Sequence, residues 1–363
     1  MSEPFVQSLF LVGIPGLEPA LEAEALARGF RGVRRVPGGV EVDGDLAEAA
    51  RANLSLRCAV RVLLRVAEFR AMHLAQLDKR SKKVPWGDWL RADVPVRVEA
   101  VCRRSKIYVN KAAVQRVSGG LEVAGIGVSR DGAVSVKVRI DDDLCTISLD
   151  TTGEALHRRG HKEFVGKAPM RENMAAGFLH EIGFDGSQRL VDPMCGSGTF
   201  VLEAAEIAAG LVPGRSREFA FEQMVGGVRS QVAGGSGLKP GLRFYGYDRN
   251  DGAIRGAVAN AERSGVSDWV RFERQAISDL EPPSAEPGIV MVNPPYGGRL
   301  GERKLLFGLY GALGATLKER FGGWRVGIIT SDGGLAKATG LELEAFGPVD
   351  HSGTKINMWK GRL

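Results

Sequence analysis

Apolar and polar residues follow two rhythms along this chain, and the change between them falls near residue 150. In the first part, Gln7–Gly13 reads as a strand. Leu17–Gly29 reads as a helix, with Leu17, Leu21, Ala25 and Leu26 on one face. Val33–Val36 and Val40–Val42 flank Pro37-Gly38-Gly39, a hairpin signal, and Asp45 is placed to cap a helix through Asn53. Ala59–Phe69 predicts a long strand, Met72–Arg80 a helical stretch, Val94–Val101 a strand and Asn110–Val123 a helix. Val134–Ile140 and Cys145–Leu149 predict a hairpin around Asp141-Asp142-Asp143. This order suits an antiparallel sheet with helices on one face.

Thr151–Lys167 has no clear period and reads as a basic linker. From Pro169 the pattern turns to helix and strand in alternation. Helices are expected at Pro169–Ile182, Thr199–Ala209, Asp251–Ser264 and Lys304–Phe321. Strands are expected at Leu190–Asp192, Phe244–Tyr247, Val270–Gln275, Ile289–Asn293 and Trp324–Thr330. Such alternation implies a mostly parallel sheet covered on both faces, so the fold class is α/β. Residues 225–241 are Gly-rich and read as an irregular insertion.

Composition narrows the class. With 44% hydrophobic and 25% charged residues, the 363-residue chain reads as globular, with room for two or three domains. No apolar run approaches the ~20 residues of a membrane span. No basic segment precedes an apolar run at the N-terminus, so no secretory signal is expected. Cys58, Cys102, Cys145 and Cys195 form no CxxC pair and have no His at ligand spacing. Neither a disulfide framework nor a metal site is expected, and the expected compartment is the reducing cytoplasm. The net charge is +6, yet residues 57–116 hold 15 Lys/Arg against 5 Asp/Glu. Such a surface suits phosphates, because cations bind them with release of condensed counterions.

Two motifs carry chemistry. The first is Asp192-Pro193-Met194-Cys195-Gly196-Ser197-Gly198-Thr199, at a strand–turn–helix junction. Gly196 and Gly198 admit close approach of a ligand to the backbone, the helix start offers unpaired N–H groups, and Asp192 can attract an ammonium group. Cys195 reads as a small apolar filler. Asp248, ending the next strand, can accept hydrogen bonds from ribose hydroxyls, and Asp279 could meet an adenine amine. The dinucleotide fingerprint places its acid roughly 20 residues on, whereas here the 225–241 insertion intervenes. The second motif is Asn293-Pro294-Pro295-Tyr296. The Asn293 carboxamide oxygen and the Pro294 carbonyl can accept both hydrogens of a planar base amine and localise its lone pair. Tyr296 offers a face on which an extruded base can stack. Together the motifs read as S-adenosylmethionine-dependent methylation of a base amine. His157 and His161, in the basic linker, read as solvated or phosphate-facing, with no third ligand for a metal.

The chain resembles, over nearly its whole length, the THUMP-domain guanine-N2 RNA methyltransferases, the group containing the RlmL-type 23S rRNA and TrmN-type tRNA enzymes. The matching strings are Gly16-Leu17-Glu18, Arg103-Arg104-Ser105-Lys106 with Gln115, Leu149-Asp150-Thr151-Thr152-Gly153, Leu156-His157-Arg158-Arg159-Gly160, Lys167-Ala168-Pro169 and the two motifs, the second continuing to Gly301. The resemblance implies a ferredoxin-like domain over 1–53, a THUMP RNA-binding domain over 54–152, a linker over 153–168 and a class I, Rossmann-like methyltransferase domain over 169–363. It implies S-adenosylmethionine at Asp192–Thr199, Asp248 and Asp279, with Pro169 and Asn293 beside it. Catalysis is expected of Asn293, Pro294 and Tyr296, and RNA contact of Arg103, Arg104 and Lys106. Asp248 is followed by Arg249-Asn250, where the family more often has an apolar residue and then an acid. The favoured substrate is 23S rRNA, with tRNA as the rival. The basic, Trp-bearing 57–116 region argues against a DNA adenine-N6 enzyme. The intact motifs argue against a non-catalytic assembly factor.

Overall fold

The computed structural model of the protein describes residues 7–163, 170–229, 241, 243–297 and 303–363. Within these it separates two units. One lies within Met1–Gly13, Glu22–Leu156 and Arg217–Val232; the other lies within Ile14–Leu21, His157–Ser216 and Ala233–Leu363.

The first unit is built on one seven-stranded sheet. Its strands are β1 (Ser8–Val12), β2 (Arg31–Val36), β3 (Gly39–Asp43), β4 (Arg61–Arg70), β5 (Val96–Arg103), β6 (Val134–Asp141) and β7 (Leu144–Asp150), in the order β2-β3-β1-β4-β7-β6-β5. All neighbours are antiparallel except β5 and β6. The β1–β4 pairing joins the strands of 1–53 to those of 54–152 in this single sheet. Alternation works as expected: Leu9 and Leu11 of β1, and Val62 and Leu64 of β4, are buried. The helices are α1 (Glu18–Ala27, in this unit from Glu22 on), α2 (Leu46–Ser55), α3 (Leu74–Ser81) and α4 (Asn110–Val123). Asp45 caps α2, its carboxylate accepting the N–H groups of Ala47 and Glu48. Such a cap contributes ~1 kcal/mol.

The basic region is less free than its count implies. Arg61 pairs with Asp150, Arg65 with Glu41, Lys82 with Asp78, Arg91 with Asp93, Arg97 with Glu99 and Arg104 with Asp141. Trp86 and Trp89 are core residues, and the Trp86 indole N–H donates to the Ser81 carbonyl at 3.0 Å.

The second unit holds a second seven-stranded sheet. Its elements are α5 (Glu172–Glu181), β8 (Leu190–Asp192), α6 (Thr199–Ala208), β9 (Phe244–Asp248), α7 (Asp251–Ser264), β10 (Val270–Arg274), β11 (Ile289–Val292), α8 (Arg303–Arg320), β12 (Arg325–Thr330), α9 (Gly333–Ala338), β13 (Glu344–His351) and β14 (Thr354–Arg362). The order is β10-β9-β8-β11-β12-β14-β13. The first five strands are parallel; β14 and β13 join antiparallel. The periodicity does not predict the β13–β14 hairpin, because β13 is largely exposed and its register shifts between Phe346 and Val349. The chain leaves β8 for β9 and β10 on one side and for β11 and β12 on the other. A parallel sheet of this order opens a crevice at the carboxyl ends of the two strands that flank the reversal, here β8 and β11.

The linker corrects an expectation. His161 is buried, with its Nε2 3.0 Å from Glu206, and Arg159 is 1% exposed, 3.1 Å from Glu203. The physical reason lies on α6. Glu203 and Glu206 are buried there, and a buried carboxylate persists only with a counter-charge or hydrogen bonds. The basic string Leu156–Lys162 supplies partners, with Arg215 also on Glu206. His157 is half-buried, and burial, then Arg171, pushes it down to about 4, so it is neutral at pH 7.

Candidate active site

β8 is fully buried and ends at Asp192, after which the chain turns through Pro193–Gly198 into α6. The turn needs glycine twice: Gly196 and Gly198 have φ of +52° and +83°. At Gly198 a side chain would also meet the Phe272 ring at 2.9 Å, whereas at Gly196 it would enter open space. The turn is pinned from β9. The Cys195 N–H donates to the Tyr247 carbonyl at 2.8 Å, and the Gly196 N–H to Asp248 Oδ2 at 3.1 Å. The other Asp248 oxygen accepts the Asn250 N–H at 2.8 Å. Asp248 thus joins the two strand ends through Oδ2 and holds its own turn through Oδ1. The Arg249-Asn250 departure has a structural use, since Asn250 caps α7 through the N–H groups of Gly252 and Ala253.

These pieces enclose a cavity of about 550 Å³, within the range of small-molecule and cofactor sites. Asp192, Pro193, Cys195, Gly196, Ser197, Thr199 and Asp248 line it, and so do Asn293, Pro294 and Tyr296. Gly198 is not on the wall but forms the turn behind it. Asp279 is not on the wall either. It is exposed, accepts a hydrogen bond from the Ser278 hydroxyl, and ends a short turn whose first residue, Ile277, faces the cavity together with Gln275 and Ala276. Pro169 and Gly298–Gly301 lie outside the described residues, as does most of the 225–241 insertion. Met170, Phe200, Arg249, Asn250 and Leu309 also line the cavity. No sequence motif marks Leu309, which reaches the wall from α8.

Asp192 is 2% exposed and accepts the Met194 N–H at 3.1 Å. Burial, with the charge of Asp248 added, pushes its carboxyl up to about 8. A buried acid that holds a proton at neutral pH is suited to an incoming cation, which restores the charge that burial suppresses. Burial and the same two acids push the Cys195 thiol well above its usual value, so it stays protonated and behaves as an apolar filler. Burial also raises the Tyr296 phenol, which remains neutral, its hydroxyl 3.4 Å from His351 Nδ1. Pro294 is buried and Pro295 exposed, so the loop after β11 is anchored at its root and open at its tip.

Arg103, Arg104 and Lys106 belong to the first unit, at the end of β5 and in the connection to α4. All three are exposed. Arg104 donates to Asp141 from Nε and Nη2, at 3.0 and 2.8 Å. The nearest recorded partner of the Lys106 ammonium is the Met72 sulfur at 3.8 Å. Among the described residues, no group of three or more His, Cys, Asp or Glu is placed to hold a metal ion, and no helix is long and apolar enough to cross a membrane.

The family model of the RMKL-like methyltransferase domain matches residues 159–346, and that of the RlmL ferredoxin-like domain matches residues 8–63. The chain is 36% identical over 360 residues to the ribosomal RNA large subunit methyltransferase K/L of Syntrophotalea carbinolica, covering 92% of this chain and 50% of that one. It therefore spans about half the length of the curated relatives it matches first. A solved Listeria monocytogenes structure, described as a predicted N6-adenine-specific DNA methylase, is similar with a TM-score of 0.87 and 27% identity, over 98% of this chain and 95% of that one. A structure described as a possible methylase from Clostridium difficile 630 has a TM-score of 0.84 and 27% identity, over 98% of both chains. With a matched methyltransferase domain over half its length and a matched ferredoxin-like domain before it, the chain belongs to the RMKL-like methyltransferase family.

Proposed function

We propose that the protein is an S-adenosylmethionine-dependent RNA methyltransferase that methylates N2 of a guanosine, with 23S rRNA as substrate and tRNA as the rival. One observation carries this reading. The β8–β11 pairing brings Asp192 and Asn293, about a hundred residues apart in sequence, onto the wall of one cavity. The cavity fits the cofactor: Gly196 leaves open space against the wall, and two acids stand where an ammonium and a ribose need acceptors. Asp192, Pro193, Cys195–Thr199 and Asp248 would hold it, with Gln275–Ile277 taking the part expected of Asp279.

When bound, S-adenosylmethionine supplies a methyl group on a cationic sulfonium, already activated for displacement. The protein supplies position. Asn293 Oδ1 and the Pro294 carbonyl accept the two amine hydrogens, which localises the nitrogen lone pair and stabilises positive charge as it develops. Tyr296, held from behind by His351, offers its ring to the extruded base, and Leu309 adds apolar wall that keeps water away. No side chain here needs to act as a strong base, since orientation toward an activated methyl lowers most of the barrier.

In this reading residues 54–152 are the THUMP RNA-binding domain and 1–53 the ferredoxin-like domain. Arg103, Arg104 and Lys106 contact phosphate, and the protein works in the cytoplasm. The K/L relatives favour rRNA. The Listeria description favours DNA adenine, a reading the same Asn293 loop would serve. Deleting the gene and mapping N2-methylguanosine in both RNA pools decides among them. Loss at one 23S rRNA position is expected. Loss from tRNA with intact 23S rRNA would reverse the choice, and loss from neither would reject the function.

A further inference from the structure

Lys162 lies in no motif of the cofactor turn, yet its ammonium sits at the edge of the cavity. It is 3.0 Å from Glu172 Oε1, 2.8 Å from Thr199 Oγ1 and 3.4 Å from the Met170 carbonyl, with its side chain 8% exposed. Thr199 and Met170 both line the cavity. An ammonium has hydrogens and no lone pair, so Thr199 is the acceptor in the 2.8 Å contact. The hydroxyl hydrogen of Thr199 is therefore directed elsewhere. It goes to the Met170 carbonyl at 3.4 Å, with Ser197 Oγ also at 3.4 Å, both long against the ~2.7–2.8 Å of a good O–H···O bond. Thr199 lines the cavity, so a stronger acceptor bound there can take over this weakly held hydrogen. A hydroxyl that accepts from a cation is also a better donor, because each bond polarises the next.

The cavity thus offers two kinds of partner. Asp192 and Asp248 suit a cation, and the Thr199 hydroxyl, backed by Lys162, suits an anion. That combination matches the zwitterionic end of an α-amino acid. We propose that Lys162 is a positioning residue which, through Thr199, holds the α-carboxylate of the cofactor's methionine moiety. The proposal rests on reading the cavity as the S-adenosylmethionine site. Glu172 keeps the ammonium in place and neutralises its charge, so the anion is gripped by an oriented hydroxyl and not by a bare cation.

The test compares two ligands by calorimetry: S-adenosylmethionine, and its decarboxylated form, which lacks only the carboxylate. Thr199→Val should weaken S-adenosylmethionine by about tenfold or more, the loss of a hydrogen bond to a charged group. It should leave the decarboxylated ligand within about twofold, and Thr199→Ser should restore the difference. Lys162→Met should reproduce the pattern, and Lys162→Met added to Thr199→Val should cost nothing more, since Lys162 acts through that hydroxyl. Equal losses for both ligands, no loss for either, or additive losses in the double variant would overturn the proposal. Should Lys162→Met unfold by circular dichroism, the Val/Ser pair at Thr199 still decides. Failure of the unsubstituted protein to bind either ligand would instead reject the cavity as the cofactor site, and the proposal with it.

Discussion

Acidification should weaken binding of S-adenosylhomocysteine, because Asp192 must lose a proton before it can pair with the ligand's ammonium. Burial holds this carboxyl at about 8 in the free protein, against 3.8 for an unperturbed one. By linkage, affinity should therefore fall roughly tenfold for each pH unit below 8, or ~1.4 kcal/mol per unit. The folding equilibrium moves the other way. The native state holds this proton more tightly than the unfolded chain, so the contribution of Asp192 to stability is intact below about pH 4. It is lost progressively as pH rises to about 8. Calorimetry from about pH 5.5 to 7.5, on the unsubstituted protein and on Asp192→Asn, isolates the effect, because the ligand's own titration is common to both. Asparagine keeps an oxygen for the Met194 N–H and removes the proton. The unsubstituted protein should approach one decade per pH unit and release close to one proton per ligand, and the variant should be flat. Equal slopes in the two proteins, or tighter binding at lower pH, would refute the reasoning.

Asn293→Ala should lower methyl transfer by about 10²-fold, ~3 kcal/mol, by analogy with a lost oxyanion-hole donor, and leave S-adenosylhomocysteine affinity unchanged in the same calorimeter. Charge reversal at Arg103, Arg104 and Lys106 should weaken RNA binding and flatten its salt dependence by roughly 0.7–0.9 per lost phosphate contact. Arg104 should contribute least, since Asp141 already holds it, and a filter-binding salt series with an unchanged slope would exclude these contacts. Glu203→Gln should lower the denaturation midpoint, because it removes the Glu203 carboxylate from the buried Arg159 guanidinium. Replacing both residues by methionine should recover much of that loss, and additive losses would contradict it.

Much of the site is local in origin and therefore legible in the sequence. A strand end, two glycines and a helix start make the cofactor turn wherever they occur together, and Asn-Pro-Pro-Tyr stiffens its own loop. The same holds for the cap at Asp45 and the helix Asn110–Val123, whose signals lie within a few residues of the structure they specify. Periodicity reports only which face of an element is apolar; it does not say which strand lies beside which. That Asp192 and Asn293 share a wall follows from β11 pairing with β8. The sign of a charge is equally readable along the chain, but its partner is not. Six cations of the basic region turned out to be paired with acids, three of those acids far away in sequence, and the linker's Arg159 and His161 were drawn inside by Glu203 and Glu206. The order of residues sets the chemistry on offer: acids, amide, glycines and cations at their places in the chain. Which of these meet is a matter of packing, because a buried charge takes whatever partner the fold brings to it, and desolvation makes that choice costly to refuse.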